Sequence, residues 1–151
     1  MMTRVSKYRR TRFIAAFFSY LCFYFMIPFA YAGDKISFVA NKDVSVNSLT
    51  STDIKNIFIG KKSEWDDGRR IIFAVLKNED THVAFLKKYI KKSPDQFKNY
   101  WRNMLFSGKG MLPPTFVTDA EVIDFVTKTS GAIGYVVQGS KGDVKVLTIS
   151  D

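Results

Sequence analysis

Two kinds of hydrophobic pattern divide the chain. From Phe13 to Ala32 no charged residue occurs, and Phe, Tyr, Leu, Ile and Met dominate a continuous run of 20 positions. Beyond it, apolar positions recur with the short periods of strands and helices. Lys35–Ala40, with Ile36, Phe38 and Val39, reads as a strand, and Asn41–Leu49 as a polar connection. Thr50-Ser51-Thr52-Asp53 is a capping box, in which Thr50 caps a free backbone amide and Asp53 reaches back. Ile54, Ile57 and Phe58 follow at helical spacing, and Gly60 supplies a left-handed stop.

Lys61–Arg70 is a charged loop around Trp65 with a turn at Asp67-Gly68. Ile71–Leu76 is almost wholly apolar, as a strand covered on both faces would be. A second helix is predicted from about Thr81 to Lys91, with Val83, Phe85, Leu86, Tyr89 and Ile90 inward and Lys87, Lys88, Lys91 and Lys92 outward. Ser93-Pro94-Asp95-Gln96 opens a third helix, with Phe97, Trp101, Met104 and Leu105 on one face. It ends at Ser107-Gly108-Lys109-Gly110, before the Pro113-Pro114 break. Thr118-Asp119-Ala120-Glu121 caps a last helix that buries Val122, Phe125 and Val126 and stops at Gly131. Ala132–Val137 and Val144–Ile149 close the pattern as strands. The order predicts an α/β fold, a small mixed sheet of about four strands flanked by about four helices.

The apolar run changes the picture of where this domain works. Arg4, Lys7, Arg9, Arg10 and Arg12 precede it, Pro28 interrupts it, and Ala30-Tyr31-Ala32 presents small residues at the positions a signal peptidase reads. Residues 1–32 are therefore expected to be a secretory signal cleaved after Ala32, leaving 33–151 as a single domain in the periplasm or another extracytoplasmic space. The rival is an uncleaved anchor, since the run is just long enough to span a bilayer. Either way the basic flank stays inside and the rest is exported. Cys22 follows Ser19-Tyr20-Leu21, which lacks the small residue expected before a lipidated cysteine.

Five of the 23 basic residues and none of the 14 acids fall within 1–32, so the formal charge of +9 drops to +4 for the remainder. That surplus is weak evidence for anionic ligands, and export disfavours nucleic acid as a partner. The only cysteine lies in the run, which excludes disulfide and thiol chemistry from residues 33–151. No serine sits in a nucleophile elbow, and His82 stands beside Glu79 and Asp80 without a nucleophile partner, so no catalytic residue and no cofactor is expected. Glu79, Asp80 and His82 fall within four positions and cannot all point at one ion, so no metal site is expected either. His82 reads as a surface residue. Trp65 and Trp101 read as packing residues, and the lysines of the second helix as a solvated face, with anionic lipid or cell-wall polymer as an alternative.

Several segments taken together resemble phosphate-binding receptors of ABC importers, in the type 2 periplasmic binding protein family. They are Val39-Ala40-Asn41, the stretch from Leu49-Thr50 through Ile57-Phe58-Ile59-Gly60-Lys61 to Trp65-Asp66-Asp67, Phe106-Ser107-Gly108-Lys109-Gly110, and Gly131-Ala132-Ile133-Gly134-Tyr135-Val136. The resemblance spans nearly all of 33–151 but matches one of the receptor's two lobes. It implies a solute-binding module for phosphate or another small anion, gripped by amides and hydroxyls at helix starts. An ABC permease or another envelope protein is the implied partner, and a dimer would supply the missing face. The family's Ser-Gly-Thr at the second helix start is not intact: Thr81 matches the threonine, whereas Glu79 and Asp80 stand in for serine and glycine. An interaction or sensory module that kept the fold and lost the ligand site is the alternative.

Lys77, Asn78 and Thr81 are the first ligand-contact candidates, at a strand end leading into a helix start. Gly108, Lys109 and Gly110 could present backbone amides to an anion, and Asn41 follows the first strand in a comparable position.

Overall fold

The computed structural model describes residues 36–77 and 79–150, and of Glu79 the backbone alone. The expected signal and its cleavage point at Ala32, and the candidate Asn78, lie outside the described residues. Among the described residues, no helix is long and apolar enough to cross a membrane.

Five strands form the main sheet: β1 (Ile36–Ala40), β2 (Ser48–Leu49), β3 (Ile72–Phe73), β6 (Ala132–Val137) and β7 (Lys145–Ile149). Their order is β2-β7-β1-β6-β3. β1 is central and antiparallel to both neighbours, with Phe38 opposite Tyr135 on one side and Leu147 on the other. β2 joins β7 in parallel, and β3 joins β6 in parallel. A separate two-stranded ribbon pairs β4 (Val75–Leu76) in parallel with β5 (Thr115–Phe116). Four helices connect them: α1 (Ser51–Phe58), α2 (Glu79–Phe85), α3 (Pro94–Phe106) and α4 (Asp119–Lys128). The mixed α/β architecture is as the sequence pattern predicts.

Local chemistry accounts for the helix boundaries. Thr50, Ser93 and Thr118 each accept a hydrogen bond from the third helical amide, and the side-chain oxygens of Asp53, Gln96 and Glu121 accept in turn from the cap residue's own amide. Each box satisfies two donors that a helix start would otherwise leave without an intrahelical partner. α2 departs from the simple pattern. It runs into a π-helical turn over Leu86–Ile90, closed by a bond from the Lys91 amide to the Leu86 carbonyl (2.7 Å). Lys91 adopts a left-handed conformation, φ 60°, which is uncommon outside glycine, asparagine and aspartate.

The expected strand over Ile71–Leu76 is divided. Ala74 donates to Ile133 (2.8 Å), and there the chain leaves β6 and turns to pair with β5. The polar connection 41–49 contains β2, and the segment after Pro114 contains β5, both too short to leave an alternating pattern.

The core lies between β1 and β6 and the helices packed on them. Phe58 is fully buried at the middle of an aromatic cluster, with ring centroids 4.8 Å from Phe85, 5.1 Å from Phe73, 5.6 Å from Tyr135 and 6.4 Å from Phe38. Trp65 and Trp101 are buried, and their indole N–H groups donate to Gly131 (2.9 Å) and Phe58 (3.2 Å) carbonyls. Both therefore pack, as buried indoles with satisfied donors do.

Candidate functional site

Strand direction decides where a ligand could meet this fold. β3 and β4 are consecutive, β3 is parallel to β6, and β4 is parallel to β5. The C-terminal ends of β4, β5 and β6 consequently share one edge of the molecule, and α2 and α4 start from it. In open α/β sheets this is the edge where ligands bind. The Lys77 amide donates to Phe116 (2.7 Å) and the Val137 amide to the Asp119 carboxylate (3.2 Å), which stitches the three strand ends together.

The start of α4 is occupied by the protein's own acids. Glu121 accepts from the amides of Val117 and Thr118, each at 3.0 Å. Those bonds, that to Thr118 first, hold its carboxyl below the usual glutamate range. Asp119 accepts from the Val137 amide and from the Ser140 hydroxyl (2.5 Å). An anion at this helix start would have to displace a carboxylate.

Lys77 is exposed on the edge, and Thr81 lies in the first turns of α2 with only 1% of its surface exposed. Asp80 is exposed beside it. These two candidates do come to the same edge, with Thr81 buried into the fold.

The other candidates are placed elsewhere and carry structural bonds. The Asn41 side-chain amide donates to Val126 (2.8 Å) and Thr127 (3.0 Å) at the end of α4, and its oxygen accepts from the Asp43 amide. It caps a helix from across the sheet. The amides of Gly108, Lys109 and Gly110 all donate back into the end of α3, to Leu105 and Met104 at 3.0 to 3.2 Å. That leaves them unavailable to an anion, and they surround the negative end of a helix dipole. The expected anion loop is a helix stop.

The sequence reading missed the pair beneath the edge. His82, read as a surface residue, is half-buried, and its Nδ1 lies 2.7 Å from the buried Tyr135 hydroxyl. Tyr135 donates its one proton to the Leu76 carbonyl (3.0 Å), so His82 Nδ1–H is the donor in their contact. The histidine ring packs edge-on against Phe97 and stacks on Tyr135. Burial lowers the His82 pKa below its usual value and raises that of Tyr135. A histidine with a depressed folded pKa binds its proton better in the unfolded chain, so its contribution is intact above about pH 6.5 and is lost as pH falls below that. We expect thermal stability to fall as pH drops below about 6.5. His82→Asn should flatten that slope in a pH series of melting curves.

Solved structures share this fold. No protein-family model and no curated protein sequence matches the chain. By structure it is similar to PstS from Borrelia burgdorferi, with a TM-score of 0.60 at 15% identity over 78% of this chain and 48% of that one. A putative phosphate ABC transporter substrate-binding protein from Clostridium perfringens, solved with bound phosphate, follows at 0.56 and 16% identity, over 77% and 45%. An ABC-type phosphate transport receptor from Vibrio cholerae gives 0.53 and 14%, over 78% and 48%. This chain has the fold of one receptor lobe. It spans about half the length of the receptors it resembles, and at such identities the likeness extends to the fold alone.

Proposed function

We propose that residues 33–151 are an extracytoplasmic solute-binding module that presents one wall of a cleft to a small oxyanion, with phosphate the first candidate. The observation that carries this reading is the shared edge of β4, β5 and β6, where Lys77 and the start of α2 stand together in a receptor-lobe fold. The second wall would come from a second copy or from an envelope protein such as an ABC permease. One wall cannot enclose an ion and exclude water by closure, so binding by the isolated chain should be weak, on the order of millimolar. Calorimetric titration with phosphate and sulfate tests this. Saturable heat that disappears in Lys77→Gln supports the reading, and silence through millimolar concentrations overturns it.

A second reading is favoured by the carboxylates of Asp119 and Glu121 at the α4 start. With those amides satisfied internally, the same edge would serve as an interaction surface for another envelope protein and hold no solute. Crosslinking in intact cells followed by recovery of the tagged chain separates the two: a discrete partner without phosphate binding selects the second.

A further inference from the structure

Away from that edge, the far end of α2 carries a cationic face that the receptor-like reading does not use. Lys55, Lys87, Lys88, Lys91 and Lys92 surround two adjoining open grooves, of about 330 and 420 Å³, with Lys91 lining both. The first groove is closed by Ser93 and Gln96, the second by Thr52 and Tyr89. No acidic side chain lines either groove, and none of the five lysines forms an ion pair with a described carboxylate. Five like charges gathered without a counterion repel one another, and the repulsion is relieved when an anion sits between them.

The backbone holds this arrangement at some expense. The π-helical turn ends in the left-handed Lys91, and Lys91 is the residue that lines both grooves. Lys88 Nζ rests 5.1 Å from the Tyr89 ring and Lys92 Nζ 5.7 Å from the Tyr100 ring, which fixes where two of the ammonium groups stand.

We propose that this face binds a linear polymer of phosphate groups laid across Lys91, one stretch in each groove. Two open sites sharing a cation suit repeated charges spaced along a chain. Of the exposed apolar side chains, the small Val83 lines the first groove, whereas the bulkier Phe106, Met111 and Leu112, which could enter lipid, lie at or beyond the other end of α3, roughly 20 Å from Ser93. Nucleic acid fits less well, because Tyr89, the ring lining a groove, is only 6% exposed and offers no stacking platform.

The full chain should be titrated in parallel with long-chain polyphosphate, orthophosphate, single-stranded DNA and phosphatidylglycerol vesicles. Polyphosphate should bind at least about tenfold more tightly than orthophosphate, and its affinity should fall steeply with salt as counterions are released. Lys91→Gly keeps the left-handed backbone while removing the shared charge. It should raise the melting temperature by a few degrees and weaken polyphosphate binding several-fold. Lys55→Gln with Lys88→Gln should weaken it about tenfold and lower the salt slope, while Lys141→Gln, at an exposed lysine outside both grooves, should leave polyphosphate affinity unchanged. Equal affinity for polyphosphate and orthophosphate overturns the proposal. So does unchanged binding in a folded Lys91→Gly variant, or tighter binding of vesicles or DNA than of polyphosphate.

Discussion

Phe58→Ala is expected to be the most damaging single truncation in the core, costing about 3–5 kcal/mol. The ring is fully buried and touches Phe38, Phe73, Phe85 and Tyr135, which belong to β1, β3, α2 and β6 respectively. Alanine would leave a void bounded by four other rings, each held by its own backbone and unable to collapse into it. The loss includes the transfer of the ring from water and the contacts its neighbours forfeit. Small domains are stable by only about 5–15 kcal/mol, so much of the total is at stake. A urea series should show the midpoint displaced with little change in slope; a midpoint within error of the parent would mean that Phe58 does not hold the cluster together.

That cluster was foreseeable in its members and not in its geometry. Ile54, Ile57 and Phe58 repeat at helical spacing, which assigns them to an inner face whatever lies opposite. The caps were equally plain, because Thr50 with Asp53, Ser93 with Gln96 and Thr118 with Glu121 complete their bonds within three residues. Features decided by distant partners did not show. Whether Ile71–Leu76 stays in one sheet depends on Ile133 and Pro114, and the switch at Ala74 leaves no mark in its own apolar run. The Asn41 side chain bonds to carbonyls 85 and 86 positions away.

The candidate site repeats the distinction. Gly108-Lys109-Gly110 has the composition of an anion-binding loop and of a helix stop alike, and the direction of its amides decides between them. Thr118 and Glu121 were legible as a capping pair. That the same Glu121 also takes the Val117 amide at the strand-end edge requires the parallel pairing of β5 to be known. Lys87, Lys88, Lys91 and Lys92 read as an ordinary solvated helical side because their spacing fits a regular helix. The π-helical turn is identified by the backbone bond from the Lys91 amide to the Leu86 carbonyl, which no sequence period announces.

Gly131→Ala should come close to Phe58→Ala in its effect by a different route. Gly131 has φ 70°, where a Cβ costs roughly 1–2 kcal/mol by itself. An added Cβ would also stand 2.4 Å from the Arg70 carbonyl oxygen, a backbone atom at the entry to β3 that cannot swing aside. The residue is fixed in place by Asp43, whose carboxylate accepts from its amide (3.1 Å), and by Trp65, whose indole donates to its carbonyl (2.9 Å). Burial pushes the Asp43 carboxyl up, but the Ser130 hydroxyl, the Gly131 amide and the Arg69 guanidinium outweigh it and hold the group below the usual range. Relieving the clash would break these bonds, and the total should reach about 3 kcal/mol or more. Gly68 supplies the control: it has φ 82°, yet nothing lies within 4 Å of its added Cβ. Gly68→Ala should lose only the backbone share, about 1 kcal/mol. If the two alanine variants melted together, the close approach of 131 to Arg70 would not be what makes glycine necessary there.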